Sequence, residues 1–119
     1  MKQIHKLRTQ KDWEDLKQQD IPDTGCILFK FSPICPISKR IESSFDSWYE
    51  QLAADKAPLC MKIDVLGARP LSQQLARELD IRHESPQAIW LTADLQVCWH
   101  ASHQGINSEA LDKQFHKDA

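Results

Sequence analysis

Two apolar runs of strand length, "CILFKF" (26–31) and "LCMKIDV" (59–65), frame a stretch with a helical repeat. This arrangement constrains the fold more than any other feature of the chain. A nearly unbroken apolar run of this length suits a strand covered on both faces. Between the runs, Ile37, Ile41, Phe45, Trp48 and Leu52 recur at three- and four-residue steps and form one stripe. That spacing predicts a helix from Pro36 to about Ala54. Proline suits its first turn, where the missing N–H is no loss. Strand, helix and strand in succession form a crossover, so the two strands must be parallel.

The flanks complete the pattern. "TQKDWEDLKQQ" (9–19) reads as a short helix with Thr9 as N-cap, Trp13 and Leu16 sharing a face. "IPDTG" breaks it. "PLSQQLARELD" (70–80) is a helix with Pro70 in its first turn and Leu71, Leu75 and Leu79 along one side. "QAIWLTA" and "QVCWHAS" are strands joined around Ala93, Asp94 and Leu95. "NSEALDKQFHKD" closes the chain as a helix capped by Asn107 or Ser108, with Leu111 and Phe115 inside. Trp48, Trp90 and Trp99 fit the packing of core and sheet face. The expected architecture is α/β: one domain, residues 1–119, with a mixed four-stranded central sheet flanked by helices on both faces. This is the thioredoxin-like arrangement, although element order alone leaves other small α/β folds open.

Composition narrows the function classes. Net charge is −2 and no basic stripe stands out, so nucleic acid is not an expected partner. No apolar run approaches the ~20 residues of a membrane helix. The opening "MKQIHKLRTQ" lacks the apolar stretch of a signal peptide. A cytoplasmic monomer is the expectation. There, cysteines default to thiols.

Cys26, Cys35, Cys60 and Cys98 are scattered, none at C-x-x-C or zinc-ligand spacing. Cys26, Cys60 and Cys98 lie in apolar runs and read as core, because the thiol behaves as a small hydrophobe. Cys35, in "SPICPIS", stands between prolines outside any such run. It follows the first core strand and precedes its helix, where functional groups of a parallel sheet collect. Unpaired N–H groups and the positive end of the helix dipole favour a thiolate there. They can lower a cysteine pKa by several units from ~8.5. Ser38 stands one helical turn on, where a second thiol would sit. Its hydroxyl cannot exchange with a disulfide, though it can donate a hydrogen bond to a thiolate. Cys26 is five strand residues from the site end, roughly 16 Å at ~3.3 Å per residue, against the ~7 Å a disulfide tolerates. Cys60 and Cys98 are also placed at the far end. An exchange at Cys35 must therefore stop at a mixed disulfide until an outside thiol arrives.

"HESPQ" (83–87) supplies a second piece. In thioredoxin-like folds, a proline entering a strand after such a loop is cis and faces the active cysteine, which points to Pro86. The backbone of Ser85 would then pair with a bound peptide as an added strand. Arg69, after the second parallel strand, shares the rim with Cys35 and suits a carboxylate. Lys30, ending the first strand, is expected to snorkel to the rim or hold the anionic sulfur. His103 is expected near the groove, as is His83. No metal site is expected from His83, His100 and His103, which lie on separate elements without cysteine at ligand spacing. Thioredoxins proper carry a buried acid six residues before the cysteine; this chain has Phe29.

"FKFSPICPIS", "ARPLSQQLA", "RHESPQAIWL" and "VCWHASHQGI" resemble, in that order, the monothiol bacilliredoxins, the YtxJ-type thioredoxin-like proteins, over about residues 11 to 115. The resemblance implies a thioredoxin-like fold. It also implies thiol exchange on proteins carrying a mixed disulfide with a low-molecular-weight thiol such as bacillithiol. The family's active cysteine maps onto Cys35 and its cis-proline onto Pro86. Members usually have a polar residue before the cysteine, whereas this chain has Ile34 after Pro33. The implied function is a monothiol thiol-disulfide oxidoreductase with Cys35 and Ser38 at the catalytic centre. Pro36, Ser85, Pro86, Arg69, Lys30 and His103 stand on the substrate side. S-thiolated proteins, the small thiol as co-substrate and a reductase are the partners, with no tightly bound cofactor. Two other readings fit the same residues: a non-catalytic thioredoxin-like binding module, and an iron–sulfur carrier of monothiol-glutaredoxin type.

Overall fold

The computed structural model describes residues 4–117. Its elements are β1 (Ile4–Lys6), α1 (Gln10–Gln18), β2 (Cys26–Phe31), α2 (Pro36–Glu50), β3 (Leu59–Asp64), α3 (Arg69–Glu78), β4 (Gln87–Leu91), β5 (Val97–Ser102) and α4 (Ser108–Phe115). A 3₁₀ turn, His103–Gly105, precedes α4. The sheet order is β1-β3-β2-β4-β5. β1, β3 and β2 run parallel, β4 pairs antiparallel with β2, and β5 pairs antiparallel with β4.

The sheet has five strands rather than the expected four. β1 is three residues long, every one of them exposed. It pairs Ile4, His5 and Lys6 with Cys60, Met61 and Lys62. An edge strand this short shows no alternation of apolar and polar residues, so nothing in "IHK" announces it. Leu7, just beyond, is buried and donates its N–H to the Lys62 carbonyl at 2.9 Å.

Strand parity divides the core. Cys26 and Leu28 of β2, Met61 and Ile63 of β3, and Ile89 and Leu91 of β4 face α1 and α3. Ile27, Phe29, Cys60, Ala88 and Trp90 face α2 and α4. On that second side Phe45 packs tilted against Phe29 with ring centroids 4.6 Å apart, and Trp48 meets Trp90 edge-on at 6.1 Å. α1 opens with a reciprocal cap. Asp12 N–H donates to the Thr9 hydroxyl, and Thr9 N–H donates to the Asp12 carboxylate, both at 3.1 Å. Arg8 N–H, and after it Thr9 N–H, donate to the Asp12 carboxylate and hold it below its ordinary pKa.

Several boundaries differ from those expected. α2 stops at Glu50 instead of Ala54, because the chain turns back at Ala53, whose carbonyl accepts from both Lys56 and Ala57 N–H. Ile37 leaves the apolar stripe and is half-exposed at the helix start. β4 ends at Leu91, where the Thr92–Gln96 turn begins, with Leu95 at φ +63°. Cys98 is exposed rather than in the core. Trp90 pairs with Trp99, and Leu91 with Val97, so one step along β4 spans two along β5. Cys98 is the extra residue of that bulge. A bulge breaks the alternation of faces and re-aims its side chain.

Candidate active site

The C-terminal ends of β1, β3 and β2 share one rim of the sheet. Lys30 pairs with Gln87, so the loop after β2 and the loop before β4 emerge side by side there. Cys35 is the N-cap of α2, in extended backbone with φ −98° and ψ 117°, and Pro36 is the first helical residue. The Cys35 carbonyl accepts Lys39 N–H at 3.0 Å, while its side chain makes no capping hydrogen bond. The first N–H groups of any helix lack intrahelical partners, and this thiol stands beside them, partly exposed.

Ser38, one turn on, is fully buried. Its hydroxyl accepts Ser32 N–H at 3.0 Å and so ties the loop 32–35 to the first turn of α2. Its recorded contact is this loop closure rather than a bond to sulfur. Ile34, at 75% exposure, and Ile37, at 52%, flank the cysteine and put apolar surface around it.

Cys26 and Cys60 are fully buried near the far end of their strands, on opposite faces of the sheet. Burial pushes the Cys26 thiol up to about 12 and the Cys60 thiol higher still. Cys98 also lies toward that end, next to Val97, which aligns with Leu91 and through it with Cys26. Its thiol donates to the Trp90 carbonyl at 3.3 Å. No disulfide joins any two of the four cysteines.

The loop before β4 forms the other wall. The Ser85–Pro86 peptide bond is cis. The Pro86 carbonyl accepts His103 N–H at 3.0 Å, which draws the 3₁₀ turn up to the loop. His103 Nε2 lies 3.6 Å from the Glu84 carboxylate. Gln87, itself buried, staples the loop from below: its amide donates to the Arg82 carbonyl at 2.9 Å and its oxygen accepts from Glu84 N–H. The Ser85 hydroxyl is buried with no hydrogen-bond partner among the described residues.

Lys30 does not snorkel to the rim as expected. Its side chain projects with Cys26 and Leu28 toward α3 and is fully buried. Nζ donates to the Ser72 carbonyl at 2.9 Å and meets His83 Nδ1 at 3.1 Å. Burial lowers its pKa to about 8. His83 is held below its ordinary value by burial first, then by the Lys30 and Arg69 charges, against a smaller opposing pull from Glu84. Arg69 is delivered by the turn after β3, where the Asp64 carboxylate accepts Leu66 N–H at 2.8 Å and Gly67 N–H at 2.9 Å. Arg69, His83 and Lys30 thus converge from three segments, a grouping that sequence spacing did not reveal. The link between Lys30 and His83 spans 53 positions, and nothing local to either residue signals it. Gln87 was equally silent.

A family model described as "Monothiol bacilliredoxin BrxC" matches residues 5–111. The chain belongs to the monothiol bacilliredoxin family. Solved structures agree on the bacilliredoxin chain's fold. It is similar to a protein described as a candidate oxidoreductase with a thioredoxin fold, at 23% identity and TM-score 0.76, covering 93% of this chain and 92% of that one. Thioredoxin from Fasciola hepatica is 15% identical with TM-score 0.71, covering 97% and 99%. Thioredoxin from Malassezia sympodialis is 16% identical with TM-score 0.70, covering 98% and 91%. The fold is therefore thioredoxin-like and the family is one of thiol redox proteins. No described helix is long and apolar enough to cross a membrane.

Proposed function

We propose that this bacilliredoxin removes a low-molecular-weight thiol, bacillithiol or a chemical relative, from protein mixed disulfides through Cys35. One observation carries the reading: a partly exposed thiol caps α2 while the residue one turn on is a serine and the buried thiols lie toward the opposite end. In the reaction, the Cys35 thiolate attacks the small-thiol sulfur of the mixed disulfide. The client sulfur departs with the electron pair of the broken bond. Cys35 retains the small thiol as an adduct until a second small thiol or a reductase attacks it. Ser38 holds the cysteine loop closed during the exchange. The client backbone lies along Ser85 and Pro86, with Ile34 and Ile37 giving it an apolar margin. Pro36 fixes the helix start, and Arg69 with His103 supplies charge and hydrogen bonding for the small thiol's carboxylate. Lys30 acts from behind this surface, since it has no solvent exposure of its own.

The test uses intact-protein mass spectrometry with an S-thiolated client. The small thiol should move onto the protein, peptide mapping should place it on Cys35, and Cys35→Ala should abolish transfer. A client that keeps its thiol at the same rate with both proteins would sink the reading.

A further inference from the structure

Lys30 is a fully buried cation whose two recorded partners, the Ser72 carbonyl and the His83 ring, are both uncharged at neutral pH. Isolated buried charge is costly, and an apolar side chain of similar length would fill the space more favourably. A buried ionisable group with no counter-charge among the described residues, next to a reactive loop, calls for a chemical explanation. An ammonium group has donors only, so Nδ1 of His83 must accept from it. That fixes the other nitrogen, Nε2, as the protonated one. His83 keeps part of its surface in solvent and lies two residues before Ser85, in the loop that emerges beside Cys35.

We propose that Lys30 and His83 form a proton relay that protonates the thiol leaving during exchange at Cys35, with His83 as the donor and Lys30 as the residue that positions and recharges it. The relay rests on the exchange reading above. As the Cys35 sulfur bonds to the small-thiol sulfur, the departing client sulfur carries away the electron pair and takes the proton from His83 Nε2. Lys30 passes a proton to Nδ1 and becomes an amine. Solvent then reprotonates Nε2, and the proton on Nδ1 returns to Lys30. The negative charge lost from Cys35 is balanced by the positive charge lost from Lys30. The other charged groups acting on the ring are Arg69 and Glu84. Burial brings Lys30 to about 8, close to the ~8.5 of an alkyl thiol, the matching that general acid catalysis requires.

Leaving-group chemistry tests this. Adduct formation on Cys35 is timed with two small probes, hydroxyethyl disulfide and dithiodipyridine. The first expels a basic alkyl thiolate that needs a proton, and the second a weakly basic heteroaryl thiolate that does not. Both need the same Cys35 nucleophile, so its own titration cancels in the ratio of their rates. Lys30→Met and His83→Gln should each slow the alkyl probe about tenfold or more while changing the aryl probe by less than about twofold. In the parent protein the alkyl-to-aryl ratio should fall as pH rises through about 8; in both variants it should be flat. Equal slowing of the two probes, or none, would overturn the relay while leaving exchange at Cys35 intact. Should Lys30→Met not fold, His83→Gln, a change at a partly exposed loop residue, decides alone. Failure of the parent protein to form a Cys35 adduct with either probe overturns the exchange reading and the relay together.

Discussion

Burial assigns the ionisable residues of this protein different tasks. Cys26 and Cys60 have thiols whose ionisation the core suppresses. Alkylation of the native protein at mildly alkaline pH should leave both unlabelled, and unfolding should expose them; labelling of either at the rate of Cys35 would contradict the packing. Lys30 shows the opposite sign. Its folded pKa, about 8, lies below its ordinary 10.5, so between those values the unfolded chain binds the extra proton. Stability must then rise with pH through that window. Below about 8 both states are protonated and the full penalty of the buried charge applies. Relative to Lys30→Met, the parent protein should gain roughly 1 kcal/mol between pH 7 and 9, read from urea denaturation at each pH. A constant difference across that range would show that Lys30 is not desolvated as its burial implies.

At the scale of elements, α2 joins the fold to the chemistry. One face locks onto the sheet through Phe45, Trp48 and Tyr49. Its flank is tied by Lys62 of β3, whose Nζ lies 2.6 Å from Glu42 and 2.8 Å from Asp46. Burial alone would lower the Lys62 pKa, but the two carboxylates together raise it. Truncating Phe45 to Ala should cost about 4 kcal/mol, the usual range for a buried aromatic. The N-terminus carries Cys35, and Ser38 lies one turn on, so a thiol at 38 would be within exchange distance of it. Ser38→Cys should therefore lose the small-thiol adduct spontaneously and form a bond between positions 35 and 38, seen as a mass change without added thiol. Persistence of the adduct would mean that the buried setting of position 38 blocks its approach. β2 has its own constraint. Gly25, at φ +88°, faces the Leu91 carbonyl so closely that an added Cβ would occupy the oxygen's place. Gly25→Ala should lower the urea midpoint by an amount worth about 3 kcal/mol or more, through strain and overlap together.

For the whole molecule, the separation of sulfurs matters most. The sheet places Cys35 at one rim and sends Cys26, Cys60 and Cys98 toward the other. Under the proposed exchange, this separation would leave a Cys35 adduct to an outside thiol. After treatment with a small disulfide in native buffer, the parent protein should retain the adduct on Cys35 until an external thiol is added. An internal disulfide appearing under those conditions would require the sheet to open. The same geometry gathers the charged residues. Lys30 of β2 meets His83 of the loop before β4 because β2 pairs with β4 at Lys30 and Gln87, and Arg69 at the start of α3 adds its charge to the same neighbourhood through the β2–β3 pairing.

The crossover, the place of Cys35 at the start of α2 and the proline of the facing loop were legible in the chain itself, because each depends on local spacing: apolar period, a cysteine ahead of a helix, Ser-Pro ahead of a strand. The fifth strand was not, since three exposed edge residues acquire their identity only from the partner they pair with. Cys98 read as core because its neighbours are apolar, yet the bulge at Trp90 and Leu91 turned it outward. Lys30 read as a rim residue because lysine prefers water. Only the assembled fold, by bringing Ser72 and His83 to its ammonium, supplied the hydrogen bonds that let it stay inside.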